Sequence, residues 1–317
     1  MPDNAGNTSW VTEDTESTQY ALIIKNEKRY DNHKSLKIHS VVVQSETLKT
    51  FLGKVLEGYP TITTTLQRLE FTAPFKPLVH RWDDLVKIRE EEEDAVTKEY
   101  IDLFYTIFEV ELRDILSRKN DMTSNGVITH ELLWTIFEPS GLVISTSYGR
   151  TSGFLFKDTS VDYRTKAWVI EAKRIAYDGT TFGFEDQSFI VPFFNGTKLI
   201  TSLAVSPLRY HADKDTIQAS LLANGKIWEE HQGFHHKQYE GVAYGFLDHG
   251  IDDDLIEYDL IEYHVKSRVI IDTEAFKTFH DIKIIYIDNT NIDDILTDEQ
   301  RIVSSGLLYG YFLEDKK

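Results

Sequence analysis

Between about residues 48 and 115 apolar positions recur mostly at helical spacing. Beyond about residue 140 they gather into strand-length runs. Leu36-Lys37-Ile38-His39-Ser40-Val41-Val42-Val43 is β-branched and partly alternating, which predicts a strand. Ser45 is placed to cap a helix carrying Leu48, Phe51, Leu52, Val55 and Leu56, which Gly58 and Pro60 end. Pro74 and Pro77 predict an extended connection across 71–80. A long helical region then opens at Leu85 and Ile88. Its Tyr100, Ile101, Phe104, Ile107, Phe108, Leu112 and Ile115 form a wide apolar stripe. Leu103 and Val110 lie off that stripe and predict cover over part of the opposite face.

Asn125-Gly126 marks a turn. Thr129 is then placed to cap a short helix through Leu132, Leu133, Ile136 and Phe137, stopped by Pro139-Ser140-Gly141. Segments 142–145, 153–157, 167–177 and 180–191 read as strands, with Asp178-Gly179 and Asn195-Gly196 as hairpin signals. A helix is expected over 215–230, with Ile217, Leu221 and Leu222 on one face and Gly225 weakening its second half. Strands follow near 261–265, 268–271 and 282–287, then a capping box at Thr297-Asp298-Glu299-Gln300. The apolar run 307–313 has strand character and is expected to lie against the β part.

Helices first and strands later define an α+β class: a helical N-terminal part, then a β-rich twisted sheet or partly open barrel with flanking helices. The expected division is a disordered acidic and polar tail over 1–33, a strand plus mainly helical region over 34–125, and a β-rich accessory domain over 126–317. Within the tail, the apolar cluster 20–24 reads as an edge strand or a docking segment.

Composition removes several function classes. Lys and Arg total 34 against 52 Asp and Glu, a formal charge of -18, which repels phosphate backbones and argues against a nucleic-acid partner. Cysteine is absent, so disulfides, thiolate nucleophiles and Cys-based zinc sites are excluded. Hydrophobic residues make up 41% of the chain, too many for disorder throughout. No apolar run reaches the ~18 residues of a membrane span. The N-terminus lacks the basic start and apolar stretch of a secretory signal, so an intracellular site, cytoplasmic or nuclear, is expected.

The search for chemistry returns mostly structural readings. Gly196-Thr197-Lys198 and Gly225-Lys226 lack the paired glycines and hydroxyl of a phosphate-binding loop. Without such a loop, Ile284-Ile285-Tyr286-Ile287-Asp288 is a core strand with a turn aspartate. His231, His235 and His236 crowd together with Asp248 and His249 downstream, but Gly233 interrupts the helical spacing a zinc pair needs. Structural or hydrogen-bonding histidines are the better reading. Gly149-Arg150-Thr151-Ser152-Gly153 has the wrong spacing for a nucleophile elbow. The acidic run 90–94 reads as a solvated helix face or an inter-helix junction, and 248–262 as a mobile acidic loop. Aromatic residues crowd the β part, where they serve as core or line a groove for peptide or carbohydrate. From that region Tyr210, His211, His235, His236 and Tyr239 are taken as the candidate partner or ligand surface. No catalytic, cofactor-binding or metal-ligating residue is assigned.

Several ordered segments together carry a resemblance. They are His39-Ser40-Val41-Val42-Val43-Gln44-Ser45, Val55-Leu56-Glu57-Gly58-Tyr59-Pro60, Ala73-Pro74-Phe75-Lys76-Pro77 through Trp82, and Gly126-Val127-Ile128-Thr129 with Leu133-Trp134-Thr135-Ile136-Phe137-Glu138-Pro139. Ile200-Thr201-Ser202-Leu203, Pro207-Leu208-Arg209-Tyr210-His211, His235 through Gly241, Arg268 through Asp272, Leu296 through Gln300 and Gly310 through Lys317 continue them. In this order, from about residue 34 onward, the chain resembles the N-terminal region of fungal AAA-type ATPases, including a domain of unknown function that precedes the motor. The resemblance implies a non-catalytic accessory region engaging a protein substrate or adaptor. It also implies that ATP and magnesium belong to an ATPase module C-terminal to Lys317, with residues 314–317 as the exit toward it. The rival expectation is a self-sufficient enzyme or a small-ligand or carbohydrate-binding module with its site in the aromatic β part.

Overall fold

Apolar spacing in the chain is satisfied twice over, by two compact units that meet in sequence at Ser140 and Gly141. The computed structural model describes residues 20–28, 36–60, 62–64, 68–147, 149–247, 259–280, 292 and 295–313. The expected strand at 282–287, residues 1–19 and 29–33 of the expected tail, residues 248–258 of the acidic loop, and the exit 314–317 lie outside these.

In the first unit β1 (Leu22–Lys28) and β2 (Leu36–Val43) run antiparallel, with a register break between Lys25 and Asn26. β3 (Leu69–Thr72) pairs with the other side of β2, so the apolar cluster at 20–24 feeds an edge strand. Helix α1 (Glu46–Val55) starts at Ser45, whose hydroxyl accepts the Leu48 amide. It is followed by α2 (Lys76–His80), α3 (Trp82–Glu91) and α4 (Ala95–Ser124). The acidic run is the junction between α3 and α4. There the Asp94 carboxylate accepts the Thr97 amide at 2.8 Å and caps the longer helix. α4 turns Ile101, Phe104, Phe108 and Leu112 into the core. Phe104 and Phe108 lie 4.6 Å apart between ring centroids, and Phe75 meets Phe108 edge-on at 5.1 Å. β4 (Val127–Thr129) and a 3₁₀ turn, His130–Thr135, complete the unit.

The second unit opens as a meander of β5 (Leu142–Ser147), β6 (Arg150–Val161), β7 (Trp168–Tyr177) and β8 (Phe182–Val191). β9 (Thr197–Leu199) and β10 (Ser206–Pro207) are short, and β10 adds to β5. The resulting sheet has the order β10-β5-β6-β7-β8 and is antiparallel throughout. Helix α5 (Lys214–Glu230) lays Leu221 and Trp228 against Ile144, Ile175 and Leu208, and the Trp228 ring lies 5.7 Å from that of Phe182. β11 (His235–Leu247) and β12 (Asp259–Ile271) form a long ribbon, followed by α6 (Thr273–His280) and α7 (Asp298–Ile302). The run 307–313 ends as β13 (Gly310–Leu313), antiparallel to β12. Among the described residues every sheet is open, so the twisted-sheet alternative describes the fold and the barrel does not.

α7 carries the expected capping box, with Thr297 accepting the Gln300 amide and Gln300 accepting the Thr297 amide. The chain leaving it returns to β7 of the same unit's meander sheet. The Ile175 amide donates to the Val303 carbonyl at 2.8 Å, and the Ser305 amide to the Ile175 carbonyl at 2.7 Å. Gly225 permits this approach: a Cβ there would sit 2.2 Å from the Arg301 carbonyl oxygen. The residue that weakens α5 by propensity is therefore where α7 touches it.

Several sequence expectations are corrected. Pro77 sits in the first turn of α2, where its missing N–H breaks no helical bond, so 71–80 is not simply extended. Thr129 makes no side-chain cap, and the element after it is a 3₁₀ helix. Asn195-Gly196 joins no hairpin, because β9 does not pair with β8, which is the edge of its sheet among the described residues. Asp178-Gly179 does close one, the Asp178 carboxylate accepting the Thr180 and Thr181 amides at 2.9 Å. The two strands expected at 261–265 and 268–271 are one, β12. Leu103 and Val110 are half-exposed, without the cover their position predicted among the described residues.

Two measurements check this packing. Phe108→Ala should cost roughly 3–5 kcal/mol in chemical denaturation, as ring truncation in a closed core does, whereas Leu103→Ala should stay within about 0.5 kcal/mol. The second concerns Glu229, whose carboxylate accepts Arg301 Nε at 2.6 Å and the Leu296 amide at 2.8 Å. Desolvation pushes its pKa up, but the Arg301 hydrogen bond, the Leu296 amide and the Arg301 charge outweigh that and hold it below the usual carboxylate value. Its stabilisation is therefore fully present above about pH 4.5 and lost as pH falls through the depressed value. Glu229→Gln should cost about 1.5–3 kcal/mol at pH 7, with the gap from wild type narrowing as the pH falls below about 4.5.

Candidate functional site

β11 has 13 residues, too polar for a recognisable strand pattern, yet each of them pairs with one of β12. Directly opposed residues share a face. One face therefore carries Tyr239, Gly241, Ala243 and Gly245 from β11, Tyr263, Val265, Ser267 and Val269 from β12, and Phe312 from β13. Tyr239, Tyr263 and Phe312 are 37%, 43% and 51% exposed. Between them Val265 is buried. β11 is an outer strand of this sheet.

The two tyrosines lie along the ribbon. A Cβ on Gly241 would come within 2.8 Å of the Tyr239 hydroxyl, and one on Gly245 within 2.6 Å of the Tyr263 ring. The rings thus cover backbone that the glycines leave bare, and in turn present a flat aromatic surface. The Tyr239 hydroxyl donates to the Val242 carbonyl at 2.6 Å, which fixes its tilt.

The five residues singled out in the sequence do not form one cluster. Tyr210 closes a 3₁₀ turn, Leu208–Tyr210, with the Arg209 guanidinium 5.1 Å from its ring. His211 Nε2 is hydrogen-bonded to the Ser206 hydroxyl at 2.8 Å, which ties the turn to β10. His235 and Tyr239 share the aromatic face, and His236 points to the other. His235 Nε2 donates to the Gln232 carbonyl at 2.9 Å and His231 Nδ1 to the Ile227 carbonyl at 2.7 Å, their rings 5.5 Å apart. These histidines end α5 and start β11. Among the described residues no three His, Asp or Glu side chains are arranged to hold a metal ion.

Tyr263 and Phe312 were missed as site residues. Tyr263 sits in a polar stretch, Glu262-Tyr263-His264, and Phe312 in a run that reads as core. The discoverable signal is the spacing of glycines in β11, since strand glycines mark places where something lies close over the backbone. Tyr239→Phe should cost about 0.5–1.5 kcal/mol, the hydroxyl's bond alone. Tyr239→Ala should cost more, because the cover over Gly241 goes as well. Equal losses in urea denaturation would mean the ring contributes nothing.

A family model described as a domain of unknown function (DUF7025) matches residues 118–212. The match runs from the end of α4 to Ala212, taking in Tyr210 and His211 and stopping before β11. No curated protein matches the chain, and no solved structure does. Among the described residues no helix is long and apolar enough to cross a membrane.

Proposed function

We propose that this chain is a non-catalytic accessory module that engages protein substrates or adaptors through the aromatic face of the β11–β12–β13 sheet. The observation that carries the proposal is the alignment of exposed Tyr239, Tyr263 and Phe312 on one face of a sheet whose long outer strand, among the described residues, is paired on one side alone. Aromatic side chains supply large contact area at low entropic cost. An open strand edge offers its backbone N–H and C=O groups to an extended peptide. The sequence resemblance to N-terminal regions of AAA-type ATPases extends the reading. In it, an ATPase module C-terminal to Lys317 holds the ATP and magnesium and uses this surface inside the cell, in cytoplasm or nucleus.

The rival reading makes the same rings a stacking platform for a carbohydrate or another small ligand. Photo-cross-linking amino acids at positions 263 and 312, introduced in cells, separate the two. Protein adducts at both positions, absent from a control at Val110 in the other unit, are the expected result. No protein adduct at either, together with glycan binding that Tyr263→Ser abolishes, would sink the protein-recognition reading. Calorimetric titration of the chain with ATP and magnesium should show no saturable binding in the micromolar range, and such binding would contradict an accessory role.

A further inference from the structure

One continuous segment, from α7 to β13, meets three parts of the second unit in turn. Its first half is anchored by burial. Arg301 is clasped by Glu229 of α5, and Ile302, Val303, Ser304 and Ser305 are buried. The Ile175 amide of β7 donates to the Val303 carbonyl, and the Ser305 amide donates to the Ile175 carbonyl. The chain then bends at Gly306, whose φ of +60 lies in the left-handed region. Beyond the bend Leu307, Leu308 and Phe312 are exposed, so this half is held by hydrogen bonds and ring contacts. The Trp228 indole donates to the Leu307 carbonyl at 2.8 Å, and the Asp272 amide to the Tyr309 carbonyl at 3.0 Å. Tyr309 and Tyr311 lie 5.4 and 5.6 Å from Phe276 of α6, and the Ser267 hydroxyl donates to the Leu313 carbonyl at 2.6 Å.

β13 pairs with β12 through four residues, Gly310 to Leu313. A strand so short, with so little apolar burial, is marginal by itself. It gains from the chain already being fixed at Ser305, because a shorter free segment loses less entropy when it closes onto β12. The converse holds for α7, whose outgoing chain is restrained once β13 is paired. Phe312 rides on the less buried half of the segment. Tyr239 and Tyr263 stand on the β11–β12 ladder, which forms without it.

We infer that residues 297–313 form one conformational strap, in which the seating of α7 against Glu229 and the pairing of β13 with β12 open and close together, so that the clasp governs whether Phe312 completes the aromatic face. The purpose of such a strap rests on the protein-recognition reading. Released, it leaves a face of two rings, Tyr239 and Tyr263. A partner that grips Phe312 holds β13 down and, by thermodynamic reciprocity, tightens the clasp. Glu229 and Arg301 are then positioning residues for a surface they do not touch.

Hydrogen exchange by NMR tests the strap without any partner. Four N–H groups report along it: the Ile175 and Ser305 amides near the clasp, and the Trp228 indole and Asp272 amide near β13. In the wild-type chain these four should share one protection factor, at least tenfold below that of the best-protected amides of β6 and β7. Arg301→Gln acts at the clasp. Gly310→Ala acts at the other end, where a Cβ would fall 2.1 Å from the Ile270 carbonyl oxygen. Each variant should lower all four protection factors by a common factor, at least tenfold for Arg301→Gln and at least fivefold for Gly310→Ala. Should Arg301→Gln fail to fold, the effect of Gly310→Ala on the Ile175 and Ser305 amides decides the matter. A variant that loosens its own end alone means two independent contacts and overturns the strap. Wild-type protection equal to that of β6 and β7 overturns it too, since the segment would then open only when the whole unit unfolds. Missing protein adducts at positions 263 and 312 would remove the recognition reading and leave these exchange results standing.

Discussion

The contact between Glu229 near the end of α5 and Arg301 in α7 closes the second unit. Both side chains are largely withdrawn from solvent, and Arg301 also reaches Asp298 at 2.8 Å. The Leu296 amide uses the same carboxylate, so one acid fixes both the entry to α7 and its body. Removing either partner leaves a charge in a site built for two, which costs more than the pair contributes over apolar packing. Once α7 is held there, Ile302 and Val303 join the cluster around Ile175 and Trp228. The next residues then take the backbone bonds of Ile175. The Trp228 indole donates to the Leu307 carbonyl at 2.8 Å, which carries the same docking one step toward β13.

Glycine makes this possible at two positions. Gly225 lets the Arg301 backbone lie against α5, and a Cβ on Gly153 would come within 2.6 Å of the Ile302 carbonyl oxygen. A larger residue at either place would hold α7 off the helix or the strand and open the cluster beneath. Local propensity is given up at Gly225 to obtain a close tertiary contact, which is the usual reason for a glycine inside a helix.

The two units stabilise themselves differently. The first rests on rings packed edge-on or tilted along the inner face of α4, its Phe104 and Phe108 with Phe75, and β3 contributes Phe71 at 6.4 Å from Phe104. The second has a smaller core, and much of its long ribbon stands in water on both faces. Such a ribbon is held by its backbone ladder, by the tyrosines over its glycines and by pairs such as Lys266 with Glu240 at 3.0 Å. Exposed aromatic surface on an element stabilised in this way is free to serve recognition, because the core does not need it.

The α+β class, the long amphipathic helix, the Ser45 cap, the Thr297 capping box and the meander from β5 to β8 were legible in the sequence. Each rests on local periodicity or on a hydrogen bond spanning a few residues. The absence of cysteine likewise settled what chemistry the chain could not hold. Tertiary structure alone decided the rest. β11 is a strand because β12 pairs with it, not because its residues alternate. Pro77 and Gly225 are tolerated because of where the first turn of α2 and the backbone of α7 fall. Tyr210 and His211 belong to one turn, and His235 and Tyr239 to a distant stretch of chain, so their likeness in composition never made them neighbours. The aromatic face brings together residues as far as 73 positions apart, Tyr239 with Phe312. Sequence periodicity reports on the turn or the pleat, whereas contacts at that separation depend on how whole elements pack.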